Sequence, residues 1–415
     1  MKVFPWKEFL SILANGFLVS LLSPLLWIIA GLIGWRYYRL AQDRNNLTGY
    51  EGWYTWRSVL IRVSYGIIGG WIGSMLMAFL GLSINGLGIS NLWITAIFLM
   101  MLHPRFVCFA YGGALIILSS LIFGWPHVNG PTLLALIGSL HLVESVLIGL
   151  AGQNGALPIW IRHKESKEWV LGYRMEHFWP LPLLLLGTEV TEKISSATVG
   201  MPDWWPLFPL QEVPFDGQGW TYVLVPVVAA LGYANVAISS SPKSKSRHSG
   251  AGLFIYSLIL LVLAWLSVHF LWVLPIGALF SALGHEGLIQ LENRFEWQGK
   301  PMIREGENTF QVVLIEEDSL AEELGMEPGD QLVSLGDYAI NSTEDLKEAL
   351  FWSPKEFVLK WLRQGKMREG RGVFSEPGAQ RRLGVLPLSE DLAIPYASTE
   401  GISLGSRLWN RIVKK

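Results

Sequence analysis

The chain has 415 residues, of which 51% are hydrophobic and only 16% charged, with 43 Gly and 20 Trp. That charged share lies well below the roughly 25% of soluble domains, and long apolar runs point to a membrane protein. A net charge of −2 gives no reason to expect a nucleic-acid partner, and the single Cys108 excludes an internal disulfide framework. Cys108 lies in an apolar run and is assigned to membrane packing.

Reading from the start, nothing at the N-terminus has the form of a cleaved signal peptide, because the first apolar segment is long and ends without a small-residue site. Segments near the ~20 apolar residues that span a bilayer are Phe9–Trp35 (with Pro24 as a kink, or as the turn of a helical hairpin), Val63–Leu82, Leu87–Leu102, Phe106–Phe123 and Thr132–Ala151. A short Phe178–Gly187 follows, then Tyr222–Ile238, Gly252–Phe270 and Leu271–Gly284. The expectation is an α-helical polytopic membrane domain of eight or nine spans over residues 1–291, a linker over 292–305, a small domain over 306–390 and a tail over 391–415. Gly66, Gly69, Gly70 and Gly73 offer small residues for close helix contact.

Lys and Arg in short loops set orientation. Arg36, Arg39, Arg44 and Arg57, then Arg162, Lys164, Lys167 and Arg174, then Lys243, Lys245 and Arg247 form three clusters expected on the cytoplasmic side. The loop Thr188–Gly219 carries Glu189, Glu192, Asp203, Glu212 and Asp216 against one Lys193 and suits the outside, with Trp204-Trp205 as an interfacial anchor. Two crossings after Arg247 return the chain to the cytoplasm at Glu286.

Ionisable residues within apolar runs are functional candidates by default. His141 and Glu144 share one helical face, and His285-Glu286 ends the last apolar segment. Both pairs are expected near the cytoplasmic ends of their helices. Two readings stand: hydrogen bonding between the pairs across the bundle, or a metal site. Zinc chemistry needs about three protein ligands, and His285-Glu286 is followed by Gly287-Leu288-Ile289, so no His-Glu-x-x-His helix is present. No metal and no cofactor are expected. A nucleophile elbow, a phosphate loop and a dinucleotide fingerprint are absent too. The likeness of Leu140–Ile148 to Leu283–Ile289 is too short to establish a transporter repeat.

From Gly306 the pattern changes to that of a small soluble domain. Phe310–Ile315 reads as a strand. Ser319 with Glu322 has capping-box spacing, Gly325 supplies a left-handed stop, and Glu327-Pro-Gly-Asp330 is a turn. A strand over Gln331–Leu335, a helix from Ser342 capped by Asp345, a strand over Glu356–Leu362, a hairpin turn at Arg363–Lys366 and a closing segment Arg381–Pro387 follow. This order resembles a circularly permuted bacterial PDZ domain, an α+β fold. The resemblance implies a carboxylate-binding loop and edge strand at Leu383, Gly384 and Val385, with Leu346 and Leu350 on the facing helix wall. The bare pattern equally allows both leucines to face the core, because a two-turn amphipathic helix must bury one face. Glu376–Arg382 reads as an insert before the loop.

A multi-span N-terminal region followed by one PDZ-like domain, with His141-x-x-Glu144-Ser145 and Gly284-His285-Glu286, is similar to the MinJ-type division-site proteins of Gram-positive bacteria. The resemblance implies a non-catalytic adaptor in the cell membrane, in contact with lipid, linking a DivIVA-type scaffold to the Min division inhibitors at septum and poles. The alternative is a degenerate relative or regulator of the site-2 intramembrane metalloproteases, which also combine membrane helices with a PDZ domain.

Overall fold

The computed structural model describes residues 3–48, 56–190, 198–210, 220–304, 310–316, 318–375, 378, 381–388, 392 and 394–397. The N-terminal half is helical: α1 Trp6–Leu21, α2 Pro24–Thr48, α3 Trp56–Leu80, α4 Ile89–Leu102, α5 Phe109–Phe123 and α6 Gly130–Ala151. Strands β1 Leu157–Arg162, β2 Trp169–Val190 and β3 Trp220–Ala237 then interrupt the helices, before α7 Pro242–His269 and α8 Val273–Gln298. The C-terminal unit comprises β4 Val312–Ile315, α9 Leu320–Glu323, β5 Gln331–Leu335, β6 Tyr338–Ala339, α10 Thr343–Trp352, β7 Glu356–Arg363, β8 Lys366–Val373 and β9 Val385–Pro387, and β10 Tyr396–Ala397 follows.

The expectation of eight or nine helical spans is corrected by this architecture. Three described helices are long and apolar enough to cross a membrane, at Val59–Leu80, Gly130–Ala151 and Pro242–His269. A fourth is reached only if α1 and α2, bent by 62° at Pro24, count as one broken span. Helices α4 and α5 are too short to qualify. Phe178–Gly187 and Tyr222–Ile238 are not helices at all. They lie in β2 and β3, which pair antiparallel from Tyr173↔Ala237 to Val190↔Trp220.

The physical reason is in the side chains. Pro180, Pro182 and Pro226 would each break a helix interior, and Val223, Val225, Val227 and Val228 favour a pleated backbone. Sheet order is β10-β1-β2-β3. The outer edge of β2 lies along α3, where its backbone groups find partners or lack a donor. Phe178 N–H donates to Tyr37 Oη at 2.8 Å, and Leu184 N–H to Ser74 Oγ at 3.0 Å. Leu186 N–H donates to the Leu82 carbonyl at 2.9 Å. By the two-residue period of a strand, positions 180 and 182 face the same way, and both are proline, without an N–H. Gly66 and Gly70 of α3 let the helix close on them. An apolar edge without stray donors is what a water-free surrounding demands.

Helix α6 is the centre of the helical part, buried from Gly130 to His141 and flanked by α3, α5, α7 and α8. Gly250 of α7 sits so close to it that a Cβ would meet the Ser145 carbonyl at 2.8 Å. Of the two tryptophans expected at the interface, Trp205 Nε1 donates to the Phe79 carbonyl at 3.0 Å, closing the end of α3, while Trp204 stacks on Phe4. Glu192, Lys193, Glu212 and Asp216 of the expected outside loop lie beyond the described residues.

Two expected boundaries move. Helix α8 runs unbroken past Leu291 to Gln298, so the expected linker begins as helix. In the expected tail, Ile394 is buried and β10 pairs parallel with β1, Trp160↔Tyr396. Residues 398–415 lie outside the description.

The C-terminal unit follows its sequence signals closely. Ser319 and Ser342 accept from the N–H groups of Glu322 and Asp345, and Asp345 completes a capping box at α10. Gly325 takes φ +76 at the end of α9. Its core gathers Phe310, Leu332, Leu335, Leu346, Phe357, Leu359, Trp361 and Leu383. Arg363 forks onto Asp330 at 2.8 and 2.7 Å and reaches Glu327 at 3.0 Å, which pins the turn Glu327–Asp330 against β7.

The two parts are in contact. Tyr173 Oη donates to the Val313 carbonyl at 3.0 Å, and Ser241 Oγ to Glu327 at 2.5 Å. Within the N-terminal part, Glu296 of α8 accepts from the N–H groups of Ile238 and Ser239 after β3, each at 2.9 Å.

Candidate functional site

Two places carry chemistry. The first is a polar cluster where α5, α6 and α8 meet inside the helical part. Cys108 precedes α5, after the 3-10 turn Pro104–Val107, and its Sγ lies 3.2 Å from His141 Nε2 and 3.9 Å from His285 Nε2. The two imidazole rings are 5.2 Å apart at their centroids and nearly perpendicular. Tyr256 of α7 packs edge-on against both rings, at 5.5 and 5.7 Å.

The hydrogen bonds fix the tautomers. His141 Nδ1 lies 2.8 Å from the Ile137 carbonyl, which only accepts, so Nδ1 carries the proton and Nε2 presents a lone pair. Tyr111 Oη donates to Glu286 Oε2 at 2.8 Å, so its oxygen accepts from His285 Nδ1 at 3.3 Å, and His285 Nε2 also presents a lone pair. Both lone pairs converge on the Cys108 sulfur. Arg105 lies 3.3 Å from the second Glu286 oxygen.

The sequence reading expected His141 and Glu144 to pair with His285 and Glu286. The structure brings the two histidines together, but the mediators come from the 3-10 turn and the start of α5. Cys108 stands beside both rings, and Tyr111 with Arg105 holds Glu286. His141 sits in the middle of its 22-residue helix, not near an end. Glu144, one turn on, is half-buried, and among the described residues no hydrogen bond or ion pair reaches its carboxylate. Cys108 was the member that sequence reasoning missed. It lies 33 positions from His141 and 177 from His285, and no local spacing rule connects residues so far apart.

The second place is the face of the C-terminal unit around β9. Gly384 sits at φ +77, where a side chain would collide with Ser319. Its carbonyl accepts from Glu316 N–H at 2.8 Å, and that of Leu383 from Ala321 N–H at 2.9 Å. Strand β9 pairs with β4 on one side, Ile315↔Val385, and among the described residues no strand pairs with its other edge.

Of the four apolar residues expected in a groove, Leu383 and Leu346 are buried in the core, 2% and 6% exposed. Val385 and Leu350 are half-buried against that same core. Phe351 and Trp352, at the end of α10, stay exposed. Arg381, in the stretch expected as an insert, donates to the Leu350 carbonyl at 3.4 Å and to the Ser353 carbonyl, satisfying the C-terminus of α10. Glu376, Pro377, Ala379 and Gln380 lie outside the described residues.

Compared with known protein families and with curated proteins, the chain matches none. The spans at Val59–Leu80, Gly130–Ala151 and Pro242–His269 are compatible with association with a membrane.

Proposed function

We propose that this chain is a membrane-anchored, non-catalytic adaptor whose C-terminal unit recruits protein partners as a PDZ-like domain does. One observation carries the reading: among the described residues β9 has no strand on its second edge, its Val385 is half-buried against the same core as Leu350, and it follows a glycine held at positive φ. An extended peptide adds to such an edge by main-chain hydrogen bonds, with alternate side chains entering apolar pockets. Gly384 lets adjacent backbone N–H groups turn toward a terminal carboxylate.

A cytoplasmic position for this unit is supported by its neighbours. Arg304, which leads into it, lies 3.6 Å from Glu168 in the β1–β2 turn, which carries Lys164 and Lys167 just after Arg162, and Ser241 at the basic start of α7 reaches Glu327. The unit therefore shares a side with two of the three basic clusters, the side that membrane insertion keeps inside. Lys245 is the exception among these charges, since it is buried against Glu292 at 3.1 Å and serves the fold. Within this reading, the partners are those that the MinJ-type resemblance implies, a DivIVA-type polar scaffold and the Min division inhibitors, with enrichment at septum and poles.

The test is fluorescence localisation of the full chain in dividing Gram-positive cells, beside Leu350→Glu and a truncation after Gly299, the first residue beyond α8. Septal and polar enrichment of the intact chain, with misplacement of the Min proteins in both variants, supports the adaptor reading. An even membrane distribution of the intact chain sinks it.

A further inference from the structure

We infer that Cys108, His141 and His285 hold a zinc-class divalent metal ion, with the Glu144 carboxylate as its remaining anionic partner. Three potential ligand atoms, Sγ and two Nε2, lie within 4.8 Å of one another. Tetrahedral zinc with its usual bond lengths to sulfur and nitrogen places S and N about 3.6 Å apart, and the two observed separations, 3.2 and 3.9 Å, bracket that value.

The protonation pattern makes the case stronger than proximity alone. Both Nδ1 positions are engaged, His141 with a backbone carbonyl and His285 with the Tyr111 oxygen. This is the arrangement by which metal-bound histidines are oriented. Both Nε2 lone pairs then face one sulfur. A thiol has a single proton and satisfies one of them, leaving the other lone pair directed at a sulfur. A cation at the centre satisfies all three groups.

Charge gives a second, independent reason. Glu144 is half-buried in an apolar helix with no hydrogen bond or ion pair from the described residues, and an ionised carboxylate there would need a cation nearby. A divalent ion, one thiolate and one carboxylate sum to zero. Binding releases the thiol proton to solvent, and a soft sulfur with two imidazoles suits zinc better than the hard, oxygen-preferring magnesium or calcium. The ion would tie the middle of α6 to the start of α5 and to α8, two elements already bonded to each other through Tyr111, Arg105 and Ser281.

The experiment uses the full chain purified in detergent, loaded with equimolar zinc, washed with chelated buffer and assayed for metal. About one zinc per chain is expected, with loss in Cys108→Ser and in His141→Gln. Glu144→Gln should retain the fold and bind at least ~10-fold more weakly, in line with the effect of groups just outside the ligands. To separate loss of the site from loss of the fold, cobalt is also added to the unaltered chain. A thiolate-to-cobalt charge-transfer band supports the site. A stable, folded chain that retains no zinc and shows no such band overturns it, as does zinc retained in full by both Cys108→Ser and His141→Gln.

Discussion

Gly66 of α3 lies directly against Pro180 of β2, so close that a Cβ on the glycine would meet the proline carbonyl oxygen at 2.5 Å. One turn further along, Gly70 meets Pro182 in the same way. A helix thus docks on the bare edge of a strand, with the donors on that edge deleted by proline and room for approach created by glycine. Carbonyls 180 and 182 point at Cα–H groups, a weak but recurrent contact.

Gly70→Ala tests this relationship through the sign of its effect. In an open helix, Ala for Gly stabilises by about 1 kcal/mol. Against Pro182 the added methyl must displace backbone, which costs ~1–3 kcal/mol as overpacking does. Thermal unfolding in detergent should therefore show Gly70→Ala destabilised. Gly31→Ala, at a helical glycine with nothing within 4 Å of the added carbon, should be neutral or stabilised. Equal shifts in both would show that α3 does not close on β2.

Tyr37→Phe removes the hydroxyl that both donates to the Phe178 carbonyl at 3.0 Å and accepts from its N–H at 2.8 Å. Tyr37 is fully buried, so water cannot replace it, and two backbone groups lose their partner at once. The expected loss is about 2–3 kcal/mol, read as a lower unfolding temperature. Ser74→Ala, which orphans only the Leu184 N–H, should cost about half as much.

These two edges explain how much of the fold was legible. In the C-terminal unit, each element is announced locally: Ser342 with Asp345, Ser319 with Glu322 and Gly325 at positive φ all lie within a few residues of the turn they make. In the apolar half, hydropathy alone does not separate a buried strand from a buried helix. Leu181–Leu186 is as apolar as any span, and only Pro180 and Pro182 two residues apart argue against a helix. The partners that make a strand acceptable there, Tyr37 and Ser74, come from 110 residues away or more. The polar cluster divides in the same way. His141 and His285 stand out because they interrupt apolar runs, whereas Cys108 is itself apolar enough to pass as packing.

Asp330 tests the hinge of the C-terminal unit. Its carboxylate is 1% exposed, accepts two hydrogen bonds from Arg363 and one from the Glu327 N–H at 2.8 Å, and thereby holds the Pro-Gly turn. The Arg363 guanidinium is correspondingly held above its usual pKa, chiefly by the hydrogen bond to Asp330, so it stays charged throughout the working pH range. Asp330→Ala leaves that cation half-buried and should cost about 3 kcal/mol. Proteolysis should then cleave the unit while leaving the helical part intact. Arg363→Lys keeps the charge but loses the fork, and should fall between the two.

Leu346 and Leu350 sit one helical turn apart on α10, yet they should fail differently, and that difference bears on the recruitment reading. Leu346 is 6% exposed and belongs to the core, so Leu346→Ala removes packing and should cost ~2–5 kcal/mol. Leu350 is half-buried at the margin of the same core, against which Val385 also packs. Leu350→Glu should leave the unit folded, because the carboxylate can turn to solvent, but should weaken capture of an apolar C-terminal peptide at least 10-fold, the ~1.4 kcal/mol equivalent of one lost apolar anchor. Calorimetric titration with a panel of C-terminal peptides, each also supplied as its C-terminal amide, separates the contributions. A Gly384-dependent carboxylate loop predicts weaker binding of every amide. Binding that ignores both Leu350→Glu and the amide would mean that the β9 edge is not where partners dock.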